Sequence, residues 1–174
     1  MVNIDRNSTC SFTGHRAIPD GMSDYLFQRI KDGVNYLDSH GVKTYLTGGA
    51  LGFDTLAAKA VIECRSVHED IRLILVIPCR DQARGWKQTD IETYEHIKVL
   101  ADEAICLSEH YYSGCMHYRN RYLIDNSSAC ICYLTQAKGG TAYTVAYARE
   151  KGLSVFNLAK GKGHNPASKK CVSP

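Results

Sequence analysis

Three short segments of this sequence place glycines, hydroxyl groups and positive charges directly after apolar, strand-like runs. They are residues 11–16, 47–54 and 138–141. Glycines in such loops let backbone N–H groups approach an anion closely, and the N-terminus of a following helix adds positive potential. Because loops that follow parallel strands emerge at one edge of a sheet, we expect the three to converge on one cleft. The pattern predicts a site for a phosphate-bearing small molecule, and a nucleotide fits it best.

The elements around these loops alternate between strand and helix. Short apolar runs, typical of strands buried on both faces, predict six strands at residues 9–13, 43–47, 72–77, 103–107, 129–134 and 154–157. Helical periodicity predicts five helices at residues 23–40, 54–67, 86–101, 116–126 and 141–151. This alternation indicates a single α/β domain of the Rossmann-like, doubly wound type, with a mainly parallel sheet of about six strands and flanking helices.

The length and composition of the chain fit one such domain. It has 174 residues, of which 44% are hydrophobic, and this is enough for a substantial core. No apolar run approaches the roughly 20 residues of a membrane helix, and the first residues lack the pattern of a secretory signal. We therefore expect a cytoplasmic protein without a membrane partner, with a short lead at 1–8, the domain at 9–159 and a flexible basic tail at 160–174.

The net charge of +3 comes from that tail. Residues 160–174 carry four lysines and no acidic residue, so the remainder of the chain has a net charge of −1. A groove for nucleic acid usually needs clustered Lys and Arg on a folded face. The charge balance therefore argues against nucleic acid as a partner.

The eight cysteines form neither a CxxC pair nor the paired His and Cys spacing of a zinc site. Four of them, Cys10, Cys106, Cys130 and Cys132, lie inside strand-like runs, where a thiol acts as a small buried hydrophobe. Cys79 follows a strand end and could line the cleft. We expect no metal, no cofactor and no disulfide framework.

The glycine-bearing loops also carry a resemblance to a known family. It lies in four segments: Thr13-Gly14-His15-Arg16, Gly48-Gly49-Ala50-x-Gly52-Phe53-Asp54, Arg119-Asn120 and Gly139-Gly140-Thr141-x-Tyr143-Thr144. These resemble the YpsA-like branch of the SLOG superfamily, which Gln82 and Trp86 also fit, over roughly residues 10–158. The superfamily contains the DNA-processing protein DprA, the LOG cytokinin-activating hydrolases and stand-alone proteins of unknown function. The resemblance implies a modified Rossmann fold that binds nucleotides or nucleotide-derived ligands.

Together, the loops and the resemblance predict a set of ligand-binding residues and no catalytic residue. The expected set is Thr13, Gly14, Arg16, Gly48, Gly49, Gly52, Asp54, Arg119, Asn120, Gly139, Gly140, Thr141 and Thr144.

Several of these side chains have a second interpretation. Asp54 either caps its helix as a first-turn acid or accepts a hydrogen bond from a ribose hydroxyl or a base edge. Arg119 either reaches the ligand or forms a structural ion pair, for example with Asp125 or Glu92. Thr141 can cap the following helix through its hydroxyl while the neighbouring N–H groups face an anion. Thr144 either projects its hydroxyl towards the cleft or lies satisfied at the surface.

One position bears on whether the protein is an enzyme. LOG hydrolases have a glutamate three residues after the threonine of the Gly-Gly-Thr loop, and here that position is Thr144. Cleavage of an N-glycosidic bond needs a carboxylate near the oxocarbenium-like centre. The sequence therefore favours binding or sensing of a nucleotide-derived molecule, such as an ADP-ribose-like or cyclic nucleotide signal. A LOG-like nucleoside-monophosphate phosphoribohydrolase and a DprA-like single-strand DNA binder remain the alternatives.

The tyrosine-rich stretch around the fourth helix predicts self-association. Tyr111, Tyr112, Tyr118 and Tyr122 offer aromatic surface, and aromatic residues are enriched at protein interfaces. The resemblance points the same way, because SLOG relatives commonly associate through helices that flank the sheet. We expect a homodimer or a higher homo-oligomer.

Overall fold

The computed structural model describes residues 3–159 as one α/β domain, and the predicted tail at 160–174 lies outside the described residues. After a short 3-10 turn at Arg6–Ser8, the strands are β1 (Thr9–Gly14), β2 (Thr44–Thr47), β3 (Arg72–Ile77), β4 (Glu103–Cys106), β5 (Ala129–Tyr133) and β6 (Ser154–Asn157). The helices between them are α1 (Ser23–Asp38), α2 (Phe53–Cys64), α3 (Gln88–Leu100), α4 (Cys115–Asp125) and α5 (Gly140–Glu150). Every predicted element is present, with bounds that differ by at most three residues.

The six strands form one parallel sheet in the order β4-β3-β2-β1-β5-β6. The chain steps outward from β1 to β4 and then returns to place β5 on the other side of β1. This reversal makes β1 and β5 the switch point of a doubly wound sheet, and ligands of such folds bind outside the carboxyl ends of the strands at that point. The predicted fold class is confirmed.

The two faces of the sheet are covered by different helices. Alternate strand residues such as Phe12 and Tyr45 belong to a large core that contains buried residues of α1, α2 and α3. The opposite face packs against α4 and α5 through Leu123, Ile124 and Val145. Because each fully buried side chain of this size contributes about 1.5–3 kcal/mol, these two layers hold the loops at the carboxyl edge in place.

Cys106, on the edge strand β4, was predicted to be buried, and this prediction is wrong. Cys106 is exposed, whereas Cys10, Cys130 and Cys132 are buried as expected. The reason is position, because β4 has a neighbour on one side only and its residues are partly uncovered. Cys79 is also buried, and burial raises the pKa of its thiol to about 12. Within residues 3–159, the helices are all too short or too polar to cross a membrane.

Candidate functional site

The three predicted loops follow adjacent strands, because β2 and β5 flank β1. They are also joined by hydrogen bonds through His15. Its backbone carbonyl accepts the N–H of Phe53, at the start of α2, at 3.1 Å. Its imidazole Nε2 accepts the N–H of Thr135, in the loop after β5, at 3.0 Å. A single residue after β1 therefore ties all three loops together across the switch point.

Two glycines of these loops are required by packing inside the protein. A Cβ on Gly14 would lie 2.4 Å from the ring of Phe53. A Cβ on Gly52 would lie 2.1 Å from the carbonyl oxygen of Arg16, and Gly52 also has a φ of +76°. Both contacts are far below van der Waals distance, so a side chain at either position would separate the loops. These glycines shape the edge of the sheet whether or not they contact a ligand.

Gly48 makes room for the side chain of Arg119. The guanidinium Nη1 lies 1.2 Å from the position of a Cβ on Gly48, and the carboxylate Oδ2 of Asp54 lies 2.8 Å from the same position. Arg119 and Asp54 form an ion pair, with 3.7 Å between Nη1 and Oδ2, and both side chains are more than nine-tenths buried. The structural ion pair considered for Arg119 is present, but its partner is Asp54 rather than Asp125 or Glu92, since α4 directs the arginine to the start of α2.

Burial dominates the electrostatics of this pair. Desolvation raises the pKa of the Asp54 carboxyl, and the Arg119 guanidinium opposes that shift. Desolvation likewise lowers the pKa of Arg119, and Asp54 opposes it. Asp54 occupies the first turn of α2 and accepts the N–H of Ala50 at 3.3 Å. Asp54 is therefore a first-turn acid, as predicted, but it does not cap the helix, whose N-cap is Gly52 without a side-chain cap bond. Its carboxylate instead holds the preceding loop through Ala50 and faces Arg119.

The Arg119 guanidinium is only partly satisfied by the protein. Its Nε donates to the Oδ1 of Asn120 at 2.8 Å. Its Nη1 is buried and has no hydrogen-bond partner among the described residues. A buried donor without a partner is destabilising by about 1–3 kcal/mol. A hydrogen-bond acceptor on a ligand at the carboxyl edge of the sheet would supply the partner that Nη1 lacks.

Gln82 belongs to the same cluster and was absent from the predicted set. It is 6% exposed, and its Nε2 donates to the carbonyl oxygens of Gly48 at 3.2 Å and Gly49 at 3.1 Å. Gly49 has a φ of +64°, a backbone conformation that favours glycine, and its Cβ position lies 3.2 Å from the ring of Tyr94. The sequence pointed to Gln82 through its match to the YpsA-like pattern. That match alone did not indicate a contact between Gln82 and the glycine loop.

The third loop is open where the first two are packed. Gly139 has a φ of +103°, and Cβ atoms built on Gly139 and Gly140 would meet no atom of the described residues within 4 Å. The N-terminus of α5 is therefore uncovered. Gly139 is the N-cap residue and no side chain caps this helix, so the predicted capping role of Thr141 is wrong. Thr144 is buried and donates its hydroxyl to the carbonyl of Gly140 at 2.8 Å.

The remaining predicted residues lie on either side of the edge. Thr13 is buried at the end of β1, and Arg16 is exposed. Arg16 and Gly52 line a pocket of about 320 Å³ between the starts of α1, α2 and α3. Arg16 is also close enough to act electrostatically on both Asp54 and Arg119. Residues from the first two loops and α4 are thus brought together around Arg119.

A second cavity, of about 550 Å³, lies between α4 and α5. Its lining includes Tyr118, Tyr122, Tyr143, His117 and Arg121. The edge of the His117 ring meets Tyr143 at a centroid distance of 4.7 Å. Tyr118 is 54% and Tyr143 is 40% exposed, so this groove presents aromatic rings to solvent.

The sequence matches a family model and curated relatives. The YpsA model, described as the YspA SLOG family, matches residues 19–155. A UPF0398 protein of Bacillus thuringiensis (strain Al Hakam) is 29% identical over 115 residues, which are 64% of this chain and 62% of the relative. The UPF0398 protein YpsA of Bacillus subtilis (strain 168) is 24% identical over 130 residues, or 73% and 72% of the two chains. The match therefore spans less than two thirds of the first of these relatives.

Two solved structures share the fold. DNA processing protein A (DprA) from Streptococcus pneumoniae aligns with a TM-score of 0.63 and 20% identity, over 92% of this chain and 53% of that one. DprA from Helicobacter pylori, described in a single-stranded DNA binding mode, aligns with a TM-score of 0.64 and 16% identity, over 93% and 69%. At this identity the likeness concerns the fold alone. Because the family model covers most of the sequence, the chain belongs to the YpsA-type SLOG family.

Proposed function

We propose that the protein binds or senses a nucleotide or a nucleotide-derived small molecule at the carboxyl edge of its sheet. The observation that carries this proposal is the buried Nη1 of Arg119, which lies against Gly48 of the glycine loop and has no hydrogen-bond partner in the part of the chain that the structure describes. A ligand group at this position would complete a site that the protein leaves incomplete.

The phosphate of such a ligand fits the N-terminus of α5. The open positions at Gly139 and Gly140 leave backbone N–H groups of the first turn uncovered, and helix N-termini favour anions. Exposed Lys138 and Arg16 lie in the loops on either side of the switch point. The register of β1 and β5, in which Gly14 pairs with Tyr133, puts these two loops side by side.

The proposal favours binding over hydrolysis. Thr144, at the position of the LOG glutamate, has no carboxylate, and its hydroxyl already donates a hydrogen bond to the carbonyl of Gly140. Asp54, the carboxylate closest to Arg119, already accepts the Ala50 N–H and pairs with the arginine. A bound nucleotide is therefore expected to be recovered intact, and release of free base would favour the LOG-like reaction instead.

The test is mass spectrometry of small molecules released from freshly purified, denatured protein, followed by thermal-shift titration with AMP, ADP-ribose and cyclic AMP. Binding should raise the melting temperature of the protein. The Arg16→Glu variant should bind the nucleotide at least about tenfold more weakly, because the substitution places a negative charge beside the phosphate. Lys59→Glu, an exposed position on α2, is the matched control. Absence of any released nucleotide and of any thermal shift would contradict the proposal.

Single-stranded DNA is a second candidate ligand, and the distribution of charge favours it. The five loops at the carboxyl edge carry five basic residues against three acidic ones, although the chain without its tail has a charge of −1. The exposed basic residues are Arg16, Arg80, Arg84, Lys87 and Lys138. A local excess of this kind steers anions regardless of the total charge. The exposed tyrosines of the α4–α5 groove supply rings on which bases stack.

This candidate is tested by fluorescence anisotropy of a labelled oligothymidine at several salt concentrations. Binding should weaken steeply with salt, with a slope of about −0.7 for each phosphate contact. Replacement of Arg84 and Lys87 by glutamate should reduce that slope, whereas Lys59→Glu should not. An affinity that does not depend on salt, or no binding at low salt, would exclude a DprA-like role.

A further inference from the structure

Two buried polar atoms that have no hydrogen-bond partner within residues 3–159 flank the same glycine loop. One is the donor Nη1 of Arg119, and the other is the acceptor Oε1 of Gln82. The amide of Gln82 is oriented by its two bonds from Nε2 to the carbonyls of Gly48 and Gly49. Those bonds leave Oε1 as the end of the side chain that is free to accept.

The loop itself links these two atoms. A Cβ on Gly48 would lie 1.2 Å from Nη1 of Arg119, and a Cβ on Gly49 would lie 3.5 Å from Nε2 of Gln82. Arg119 therefore packs against Gly48, and Gln82 donates hydrogen bonds to the carbonyls of both Gly48 and Gly49. The ring of Tyr94, 3.2 Å from the Gly49 Cβ position, forms an apolar wall beside the glutamine.

The charge at this end of the site is balanced. The Asp54 carboxylate neutralises Arg119 across 3.7 Å, and Gln82 carries no charge. A phosphate here would lie beside a buried carboxylate, which is electrostatically unfavourable. The matching ligand group is neutral, accepts a hydrogen bond from Nη1 and donates one to Oε1, and a hydroxyl does both.

We infer that Gln82 and Arg119 form a subsite for the sugar hydroxyls of the nucleotide, with Gln82 determining specificity for ribose. The inference rests on the proposed function and adds an orientation to it. The hydroxyls of the ligand enter beneath the Gly48–Gly49 loop, and its phosphate lies towards the start of α5. A site built to hydrogen-bond a hydroxyl strongly rejects analogues that lack it, because its buried polar groups are then left unpaired.

Calorimetric titration with AMP, GMP, CMP and UMP, each beside its 2′,3′-dideoxy analogue, tests the subsite. The ribonucleotide that binds best should bind at least about tenfold more tightly than its dideoxy form. Gln82→Met, which keeps the length of the side chain and removes its polar end, should weaken ribonucleotide binding to the dideoxy level. Gln88→Met, at an exposed position on α3, should keep the full preference.

Each outcome decides a different question. If the wild-type protein binds ribo and dideoxy forms equally, or if Gln82→Met keeps the preference, the subsite is wrong while nucleotide binding stands. If no nucleotide binds at all, the proposed function is wrong as well. Should Gln82→Met fail to fold, the wild-type comparison alone decides, because the preference for ribose is measured without any variant.

Discussion

The Nη1 atom of Arg119 lies 1.2 Å from the place where a side chain on Gly48 would begin. The glycine and the arginine are 71 positions apart in the sequence, yet each determines what the other can be. Gly48 has no positive φ, so its backbone conformation is open to any residue. It is the arginine, packed against it and paired with Asp54, that excludes a side chain.

This relationship predicts how the two positions respond to mutation. Gly48→Ala should destabilise the fold by about 1–3 kcal/mol, because the new methyl group displaces a packed guanidinium. In an Arg119→Ala background the same change should be clearly less destabilising, because the contact that remains is with Asp54 Oδ2 at 2.8 Å. The loss of stability in the double variant should therefore be smaller than the sum of the two single losses, by about 0.5–3 kcal/mol. Chemical denaturation of the four proteins measures the cycle.

Gly140→Ala serves as the control for that cycle, since a Cβ at this position meets open space and its φ is negative. Its unfolding free energy should stay within about 0.5 kcal/mol of wild type. Additive effects of Gly48→Ala and Arg119→Ala would show that the clash does not operate.

The buried ion pair predicts a dependence on pH. Because burial raises the pKa of Asp54 above its unfolded value, the folded state is favoured at low pH and loses that advantage as the pH rises through the folded pKa. Arg119→Met removes the charge that opposes the shift, so its unfolding free energy should fall more steeply than that of wild type as the pH rises above the unfolded pKa of about 3.9.

The size of the effect follows from the missing partner. Removal of one member of a buried pair is destabilising by about 3–5 kcal/mol, whereas replacement of both is close to neutral. The double variant Asp54→Asn with Arg119→Met should therefore recover most of the lost stability and lose the extra dependence on pH. Urea titrations of the three variants at three pH values measure this recovery. If Arg119→Met were unstable only because it packs poorly, adding Asp54→Asn would not restore its stability.

The sequence was sufficient to predict the fold and the three loops, because both depend on local patterns. Apolar runs and helical periodicity located every strand and helix, and glycines after strand ends marked the loops. The order of the strands did not follow from periodicity, since it is decided by long-range pairing such as that of Gly14 with Tyr133.

The roles of individual site residues were harder to predict, because most of them depend on partners far along the chain. Gly48 resembles a phosphate-loop glycine, but the structure shows that it also accommodates Arg119. The buried amide of Gln82 is recognised only when the carbonyls of Gly48 and Gly49 are seen beside it. Thr141 resembles a helix cap, yet Gly139 already occupies the N-cap position.

The exposed tyrosines predict a homodimer. Tyr111, Tyr112 and Tyr118 are 62%, 45% and 54% exposed, while Tyr122 packs partly against the core. We expect light scattering to give twice the chain mass of 19.3 kDa, and Tyr118→Glu to give the monomer, because a buried charge at an interface is unfavourable. Tyr25→Glu, on α1 at the opposite face, should remain a dimer. A wild-type monomer would contradict this prediction and leave the groove open for nucleic acid.

The link between His15 and Thr135 predicts a pH effect of opposite sign. The imidazole Nε2 accepts a hydrogen bond from a backbone N–H, so it must be unprotonated, and burial lowers the pKa of His15. Because the folded pKa lies below the unfolded value of about 6.5, the contribution of His15 to stability is complete above that value. It is lost as the pH falls through the folded pKa.

An NMR titration of the imidazole should therefore give a pKa below about 6.5 for His15. His15→Ala should reduce the unfolding free energy at pH 7.5 by about 0.5–1.5 kcal/mol, the contribution of one hydrogen bond, and reduce it less at pH 5.5. His96→Ala, at an exposed position on α3, is the matched control and should leave the difference between the two pH values unchanged. Parallel pH profiles for wild type and His15→Ala would show that the imidazole does not hold the loops of β1 and β5 together.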